Sequence, residues 1–164
     1  MNILIVGGDG FCGWPVALEL KSRGNDVVIV DNFSRRKIDE ELGANSITDI
    51  RTLDERLKAA EDVVGHIHFE YMDVSKEYEH LVTVLKHYSI DTIIHFGELK
   101  SAPYSMIDSY HMRINVDNNI NGTTNLLTAI VEVNTDIHLV HLGTMGVYGY
   151  HDAFGKIPEG YLDV

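Results

Sequence analysis

Short runs of consecutive apolar residues alternate along the chain with stretches in which apolar positions recur every three or four residues. The first kind marks strands buried on both faces, and the second marks helices that cover them. Asn2-Ile3-Leu4-Ile5-Val6 and Val27-Val28-Ile29-Val30 are β-branched runs of the first kind. Between them Trp14 to Arg23 carries an apolar stripe, stopped at Gly24-Asn25 where a left-handed residue ends a helix. That helix is expected to begin at Gly10 or Phe11, so Pro15 falls at the edge of its first turn, where a missing N–H is tolerated. Leu53, Leu57, Ala60, Val63 and Val64 predict a helix from Arg51 to Val64, closed by Gly65. His66 to Tyr71 alternates as a third strand, Leu81, Val82, Val84 and Leu85 mark a helix to about Tyr88, and Asp91 to Glu98 is a fourth strand and its exit. Ser109 to Val133 reads as one long helix and Ile137 to Leu142 as a fifth strand. The remainder, through Gly155, Pro158 and Gly160, reads as turns. Strands alternating with helices predict an α/β fold: a doubly wound parallel sheet, three layers αβα, in the order 3-2-1-4-5 and truncated after about the fifth strand.

The chemistry concentrates where the first strand ends. Gly7-Gly8-Asp9-Gly10-Phe11-Cys12-Gly13 follows it at once, with Gly7, Gly10 and Gly13 in G-x-x-G-x-x-G spacing. Such glycines permit a tight turn, close approach of a pyrophosphate to the backbone, and close packing of helix on sheet. The helix start then presents N–H groups and a positive dipole end to the phosphates. An acid about 20 residues further on accepts the adenosine ribose hydroxyls, and Asp31 stands at the end of the second strand. Strand, glycine turn, helix, strand and acid therefore predict a Rossmann-type dinucleotide site. A carboxylate at the ribose repels a 2′-phosphate, which favours NAD over NADP. Arg35 and Arg36 lie close behind, either within reach of an adenosine phosphate or on a solvated turn between Asn32 and Lys37.

The rest of the chain adds candidates. Asp73 ends the third strand beside the adenine pocket, yet Asp73 or Ser75 equally suits the N-cap of the next helix. The insert between the second and third strands is longer than a minimal βαβ unit needs, and such segments usually cover a ligand site or an interface. Gly97 to Met106 leaves the sheet at the switch in strand order and is rich in small and polar groups. Asn115, Asn118, Asn119, Asn121 and Asn125 all fall on the long predicted helix, where propensity disfavours them, so some are expected to face polar partners.

Bulk properties narrow the classes. With 164 residues, 45% hydrophobic and 23% charged, the chain is one globular domain's worth. A net charge of -12 argues against nucleic acid or an anionic membrane as the main partner. Cys12 is the single cysteine, which excludes an intrachain disulfide and suits a small residue in a tight place. No apolar run approaches the ~18 residues of a membrane span and no leader precedes the first strand, so a cytoplasmic location is expected. Asn32-Phe33-Ser34 and Asn121-Gly122-Thr123 then match the glycosylation pattern by chance. No metal site is expected: His66 and His68 share a strand face without further ligands, and His138 and His141 face opposite ways.

These motifs resemble the extended short-chain dehydrogenase/reductase family, which acts on nucleotide sugars. Gly7 to Trp14, Asp31-Asn32 with Arg35-Arg36, His95-Phe96-Gly97-Glu98, Ser101-Ala102-Pro103-Tyr104-Ser105-Met106-Ile107-Asp108 and Leu142-Gly143-Thr144-Met145-Gly146 look like its UDP-sulfoquinovose synthase branch. The resemblance implies NAD held by Gly7, Gly10, Phe11, Cys12, Gly13, Asp31, Asn32, Arg35, Arg36, Asp73, Val74, Phe96, Gly97, Asn118, Asn119 and Leu142. It implies a nucleotide-sugar substrate, UDP-glucose, lined by Glu98, Lys100, Ser101, Tyr104, Thr144, Met145 and Gly146, with Thr144 as the catalytic hydroxyl on the sugar 4-OH. The implied reaction oxidises C4, eliminates water to a 5-ene, adds sulfite at C6 and returns the hydride. Leu99, Lys100 and Val147 depart from the Gln, Arg and Glu expected in plant members of that branch.

The resemblance also exposes an absence. Family members take the sugar proton with Tyr-x-x-x-Lys, whose lysine and nicotinamide charges lower the phenol pKa. None of Tyr71, Tyr78, Tyr88, Tyr104, Tyr110, Tyr148 and Tyr150 has lysine four residues on, and Tyr161 stands three residues before the last, Val164. Residues 1–164 are thus expected to be an incomplete NAD-binding domain, inactive alone, with the substrate lobe absent. A UDP-glucose 4-epimerase or a 4,6-dehydratase is the alternative within enzymes, and a non-catalytic NAD-binding subunit or sensor is the alternative outside them. A homodimer through helices such as Ser109 to Val133 is compatible with the family pattern.

Overall fold

Alternation along two adjacent β-branched strands fixes the layers of this protein. A computed structural model describes residues 1–144 and 146; Met145 and the turn-like stretch 147–164 lie outside the described residues. Five parallel strands pair in the order β3-β2-β1-β4-β5: β1 (Asn2–Val6), β2 (Asp26–Asp31), β3 (His68–Tyr71), β4 (Thr92–His95) and β5 (His138–His141). Leu4, Val6, Val28, Val30 and Ile93 point to one face, where they meet Leu81 and Leu85 of α4 (Tyr78–His87) and Leu126, Ala129 and Ile130 of α7 (Gly122–Val133). Ile3, Ile5, Val27 and Ile29 point to the other, against Ala17 of α1 (Gly13–Ser22) and Ala60 of α3 (Leu53–Val63). Full burial of each such aliphatic side chain contributes about 1.5–3 kcal/mol, so both faces of the central strands drive the fold. The predicted order and the three-layer α/β class are those observed.

Register sets the functional edge. Val6 pairs with both Val30 and His95, and His95 with His141, so the strands end on one line. One step beyond that line stand Asp31, Gly7, Phe96 and Leu142; Gly7 N–H donates to Val30 O (2.9 Å) and Phe96 N–H to Val6 O (2.8 Å). Residues far apart in sequence thereby share one rim.

Several boundaries differ from the pattern reading. Helix α1 starts at Gly13 rather than Gly10 or Phe11, because residues 10–12 form the turn; Pro15 still sits in the first turn. Residues Ser34–Glu41 form a helix, α2, instead of a solvated turn, entered through Phe33 at φ 56° with its ring stacked on Phe69. Thr52 and Glu55 cap α3 reciprocally, an N-terminal device that fixes where the helix starts. Strand β3 begins at His68, which leaves His66 outside it, and Ile67 is buried just ahead of it. Neither Asp73 nor Ser75 caps α4, which begins three residues after Ser75, behind Glu77. The exit segment contains a short helix, α5 (Ala102–Ser105), whereas the long helix runs from Ser109 to Val133 as expected, as α6 (Ser109–Val116), a π turn (Asp117–Asn121) and α7 in unbroken succession. Among the described residues no helix is long and apolar enough to cross a membrane.

Candidate functional site

The glycine turn closes because its glycines lack side chains. Gly7 sits at φ +77°, and a Cβ there would lie 2.8 Å from Gly97 N; a Cβ on Gly13 would lie 2.2 Å from Gly7 O. Chain therefore passes over chain with no room for a methyl group. Gly10 N–H donates to Gly7 O (3.2 Å) and Trp14 N–H to Gly10 O (3.1 Å), which commits the start of α1. Among the described residues, the N–H groups of Phe11, Cys12 and Gly13 have no acceptor, and Cys12 at the N-cap makes no side-chain cap. Three consecutive free donors at a helix start form a cradle suited to an anion. Phe11 is 93% exposed at its lip.

Asp31 occupies the rim beside this cradle. Its Oδ2 accepts the Asp9 N–H (2.9 Å) and its Oδ1 the Phe33 N–H (2.8 Å), so the carboxylate is held in place. Burial pushes its pKa up, while those two N–H groups and Arg36 oppose the shift. Each oxygen keeps acceptor capacity for a further hydroxyl. Asn32 turns its side chain onto Ser34 N–H (2.8 Å), fixing the entry to α2. Of the two predicted arginines, Arg35 pairs with Asp39 on the exposed side of α2 (2.9 Å). Arg36 reaches back to the turn: Nε and Nη2 lie 2.9 and 2.7 Å from Asp9 Oδ2. Arg56 of α3 binds the other oxygen of Asp9 and packs on the Trp14 ring, 4.6 Å from its centroid. The Asp9 carboxylate, 5% exposed, thus ties both insert helices to the glycine turn. The pattern reading missed Asp9, whose partners lie 27 and 47 residues away.

Further along the rim, Asp73 uses Oδ1 on the Ser75 N–H (3.1 Å) and hydroxyl (2.6 Å), and Oδ2 on Lys76 (3.1 Å). Burial alone would raise its pKa, but the Ser75 hydroxyl and the Lys76 ammonium outweigh it and hold the carboxyl low. Val74 is buried and its carbonyl accepts Asn125 Nδ2 (2.8 Å). Asn118, Asn119 and Asn125 do find polar partners, mostly backbone atoms, while Asn115 Oδ1 is buried with no partner among the described residues. Asn119 receives Leu99 N–H (2.8 Å) and donates to Leu99 O (2.9 Å), and Asn118 donates to Gly97 O (3.0 Å). The π turn carries both asparagines and so fixes the exit from β4.

On the exit side His95 is 1% exposed at the end of β4. Burial, with His141 alongside, pushes its pKa down to about 4. Glu98 Oε1 lies 3.9 Å from His95 Nε2 and 3.7 Å from His141 Nε2, a grouping that strand parity within β5 could not reveal. His95 Nδ1 accepts the Gly97 N–H (3.3 Å), so the neutral ring carries its proton on Nε2, toward Thr123 Oγ1 (3.4 Å). A protonated Nε2 offers no lone pair to an ion, and the cluster is better described as polar lining than as a metal centre. Lys100 is exposed and Ser101 caps α5 by accepting Tyr104 N–H (3.4 Å). Tyr104, expected on the sugar side, is buried and its hydroxyl donates to Glu41 Oε2 (3.0 Å). His111 lies between Glu41 Oε1 and Asp108 Oδ1, 2.7 Å from each, and these carboxylates push its pKa up. Leu142 is exposed and bonds back to His95 O (3.4 Å), and Thr144 Oγ1 accepts the Gly146 N–H (3.1 Å). Met145 lies outside the described residues.

Comparison with known proteins agrees with this rim. Residues 3–161 match the model of the NAD dependent epimerase/dehydratase family. The chain is 40% identical over 163 residues to the chloroplastic UDP-sulfoquinovose synthase of Spinacia oleracea, covering 99% of this chain and 33% of that protein. It is 41% identical over 160 residues to the UDP-sulfoquinovose synthase of Sulfolobus acidocaldarius, covering 97% of this chain and 40% of that protein. Among solved structures, UDP-glucose-4-epimerase from Stenotrophomonas maltophila, with bound NAD and formylated UDP-arabinopyranose, superposes with a TM-score of 0.71 at 25% identity, over 95% of this chain and 40% of that one. The chain therefore spans a third to two fifths of the length of these relatives. With its glycine turn, its acid-tipped second strand and a family match over nearly all its residues, this chain belongs to the NAD-dependent epimerase/dehydratase family.

Proposed function

We propose that this chain is the dinucleotide-binding part of a nucleotide-sugar modifying enzyme of the UDP-sulfoquinovose synthase kind. The observation that carries the cofactor is the convergence of Gly7, Gly13, three free N–H groups and Asp31 on one rim. The Phe11, Cys12 and Gly13 amides and the dipole of α1 would take the pyrophosphate of NAD, and Asp31 its adenosine ribose. Asn32 orders the approach to α2, Asp73 and Val74 would border the adenine, and Phe96, Gly97 and Leu142 would border the nicotinamide end. Asn118 and Asn119 support that end by holding the backbone at Gly97 and Leu99. Bound NAD would supply a reversible hydride acceptor. Glu98, Lys100, Ser101 and Gly146 would face the sugar, and the Thr144 hydroxyl would hydrogen-bond its 4-OH.

Identity of 40–41% to two UDP-sulfoquinovose synthases, against 28–30% to UDP-glucose 4-epimerases, supports the synthase over the epimerase, and with it the proposal of UDP-glucose and sulfite as substrates. The proposed sequence is oxidation at C4, loss of water to a 5-ene, addition of sulfite at C6, and reduction at C4. None of the tyrosines from Tyr71 to Tyr150 has a lysine four residues on, so the general base of that chemistry is proposed to lie outside them. Calorimetric titration of this chain is expected to show one NAD site, and incubation with UDP-glucose and sulfite is expected to yield no sulfonated sugar. Absence of NAD uptake by the folded chain overturns the cofactor assignment; turnover overturns the assignment of the missing base.

A further inference from the structure

We propose that Asp9 makes this site select a dinucleotide with a free adenosine 2′-hydroxyl, by occupying the guanidinium that a 2′-phosphate would use. The inference rests on the dinucleotide reading above and assigns a specificity role to a residue outside its glycine pattern. Asp9 is joined to the ribose acid directly, since its N–H donates to Asp31 Oδ2 at 2.9 Å. Any group on the ribose 2′-position held by Asp31 therefore comes to the neighbourhood of Asp9. Arg36 is placed at the same spot, and an arginine there is the usual receptor of a 2′-phosphate. Its inner edge is already occupied: Nε and Nη2 both lie on Asp9 Oδ2, and Nη2 also approaches Asp9 O at 3.4 Å. Arg56 takes the second oxygen from the opposite side and is held there by Trp14.

The charge balance points the same way. Asp9, Asp31, Arg36 and Arg56 together are neutral, so the surroundings of the ribose offer no net attraction to a phosphomonoester carrying about -1.5 to -2. A phosphate would have to pull Arg36 from a carboxylate that is 5% exposed, stripping one of its oxygens of a charged partner and leaving Arg56 on the other. Neutralising Asp9 reverses both effects, giving a net positive cluster and an arginine edge free for bidentate phosphate binding. Asp31 by itself repels the phosphate; Asp9 removes the cation that would offset that repulsion.

The test is titration of this chain with NAD and with NADP, read by calorimetry and by the fluorescence of Trp14, its single tryptophan. Wild type, Asp9→Asn, and Asp9→Asn combined with Arg36→Gln are compared, with thermal melting as the control for folding. Asp9→Asn is expected to lower the ratio of the NADP to the NAD dissociation constant at least tenfold. The double variant is expected to return toward the wild-type ratio, because the freed guanidinium is gone. A ratio within twofold of wild type in Asp9→Asn, or a gain that persists without Arg36, overturns the proposal while leaving NAD binding intact. A folded wild type that takes up neither dinucleotide overturns the dinucleotide reading and the selectivity with it. Asp9→Ser, shorter and also neutral, carries the same comparison if the asparagine variant does not fold.

Discussion

The two ends of the strand rim are built on opposite principles. On the β2 side, ions do the holding: Asp9, Asp31, Arg36 and Arg56 are knit through one buried carboxylate. On the β4 side neutral groups do the holding: Asn118 and Asn119 grip backbone atoms, and His95 is kept uncharged by burial, with the Glu98 carboxylate 3.9 Å from its Nε2. The first end meets the fixed charges of a dinucleotide, and fixed counter-charges suit it. The second end instead fixes the path of the backbone that leaves β4, at Gly97 and Leu99. Position is supplied there by amides, which hold the chain without adding charge.

The contrast is broken most severely at the crossing point of the two ends. A methyl group at Gly13 would lie 2.2 Å from Gly7 O, a backbone atom that cannot yield without moving the turn. Gly13→Ala is therefore expected to weaken NAD binding at least about 100-fold by displacing the N–H cradle, measured by calorimetry. A Cβ on Gly122, inside α7, meets Val74 Cγ2 at an ordinary 3.5 Å. Gly122→Ala serves as the control and should stabilise the helix by up to about 1 kcal/mol. Equal effects of the two substitutions would mean that the turn is not the close approach described above.

Acid sharpens the contrast next. The pKa of His95 is about 4 in the folded chain against 6.5 for a free imidazole. Above pH 6.5 both folded and unfolded chains hold the ring neutral, and its contribution is complete. As pH falls toward 4 the unfolded chain takes up a proton that the folded chain refuses, so stability drops by at most roughly 3 kcal/mol across that window. His95→Asn keeps an acceptor for the Gly97 N–H and removes the titration. Urea unfolding at several pH values should show the wild type losing more stability than the variant between pH 6.5 and 4. Parallel losses would place the acid-sensitive group elsewhere.

What could be read from the residues follows the same division. Asn2 to Asp31 is one continuous βαβ unit whose strands, turn, helix and terminal acid follow from local periodicity and spacing. The boundaries that moved were those where local signals compete: Gly10 to Cys12 are helix-compatible but are used by the turn, and Ser34 to Lys37 look like a turn but continue into α2. Asp9 was silent because Arg36 and Arg56 reach it across 27 and 47 residues through two helices whose placement no local rule supplies. The bond from Tyr104 to Glu41 was silent for a similar reason, since the two lie 63 residues apart. His95, Glu98 and His141 are brought together by strand register, which pairs His95 with His141 only after β4 and β5 align. Local chemistry was legible; contacts made by topology were not.

The smallest expected effect tests whether the neutral end depends on its amides. Asn119 satisfies both the N–H and the C=O of Leu99 with one side chain. Asn119→Ala leaves those two backbone groups to find water, at a cost of about 1–3 kcal/mol if they stay shielded and less if they open to solvent. The substitution also removes the Asn119 oxygen that Asn118 donates to (3.0 Å), but Asn118 keeps its bond to Gly97 O and the charged cluster around Asp9 is untouched, so NAD affinity is expected to change by less than about threefold. Hydrogen exchange resolves the matter at the residue concerned: Leu99 should lose protection while amides of β1 and β2 keep theirs. If the β1 and β2 amides exchange faster as well, the π turn supports the whole rim and the two ends are one cooperative unit. If only Leu99 and its neighbours respond, the exit from β4 opens independently of the cofactor side, as a site that admits and releases a sugar beside a retained dinucleotide requires.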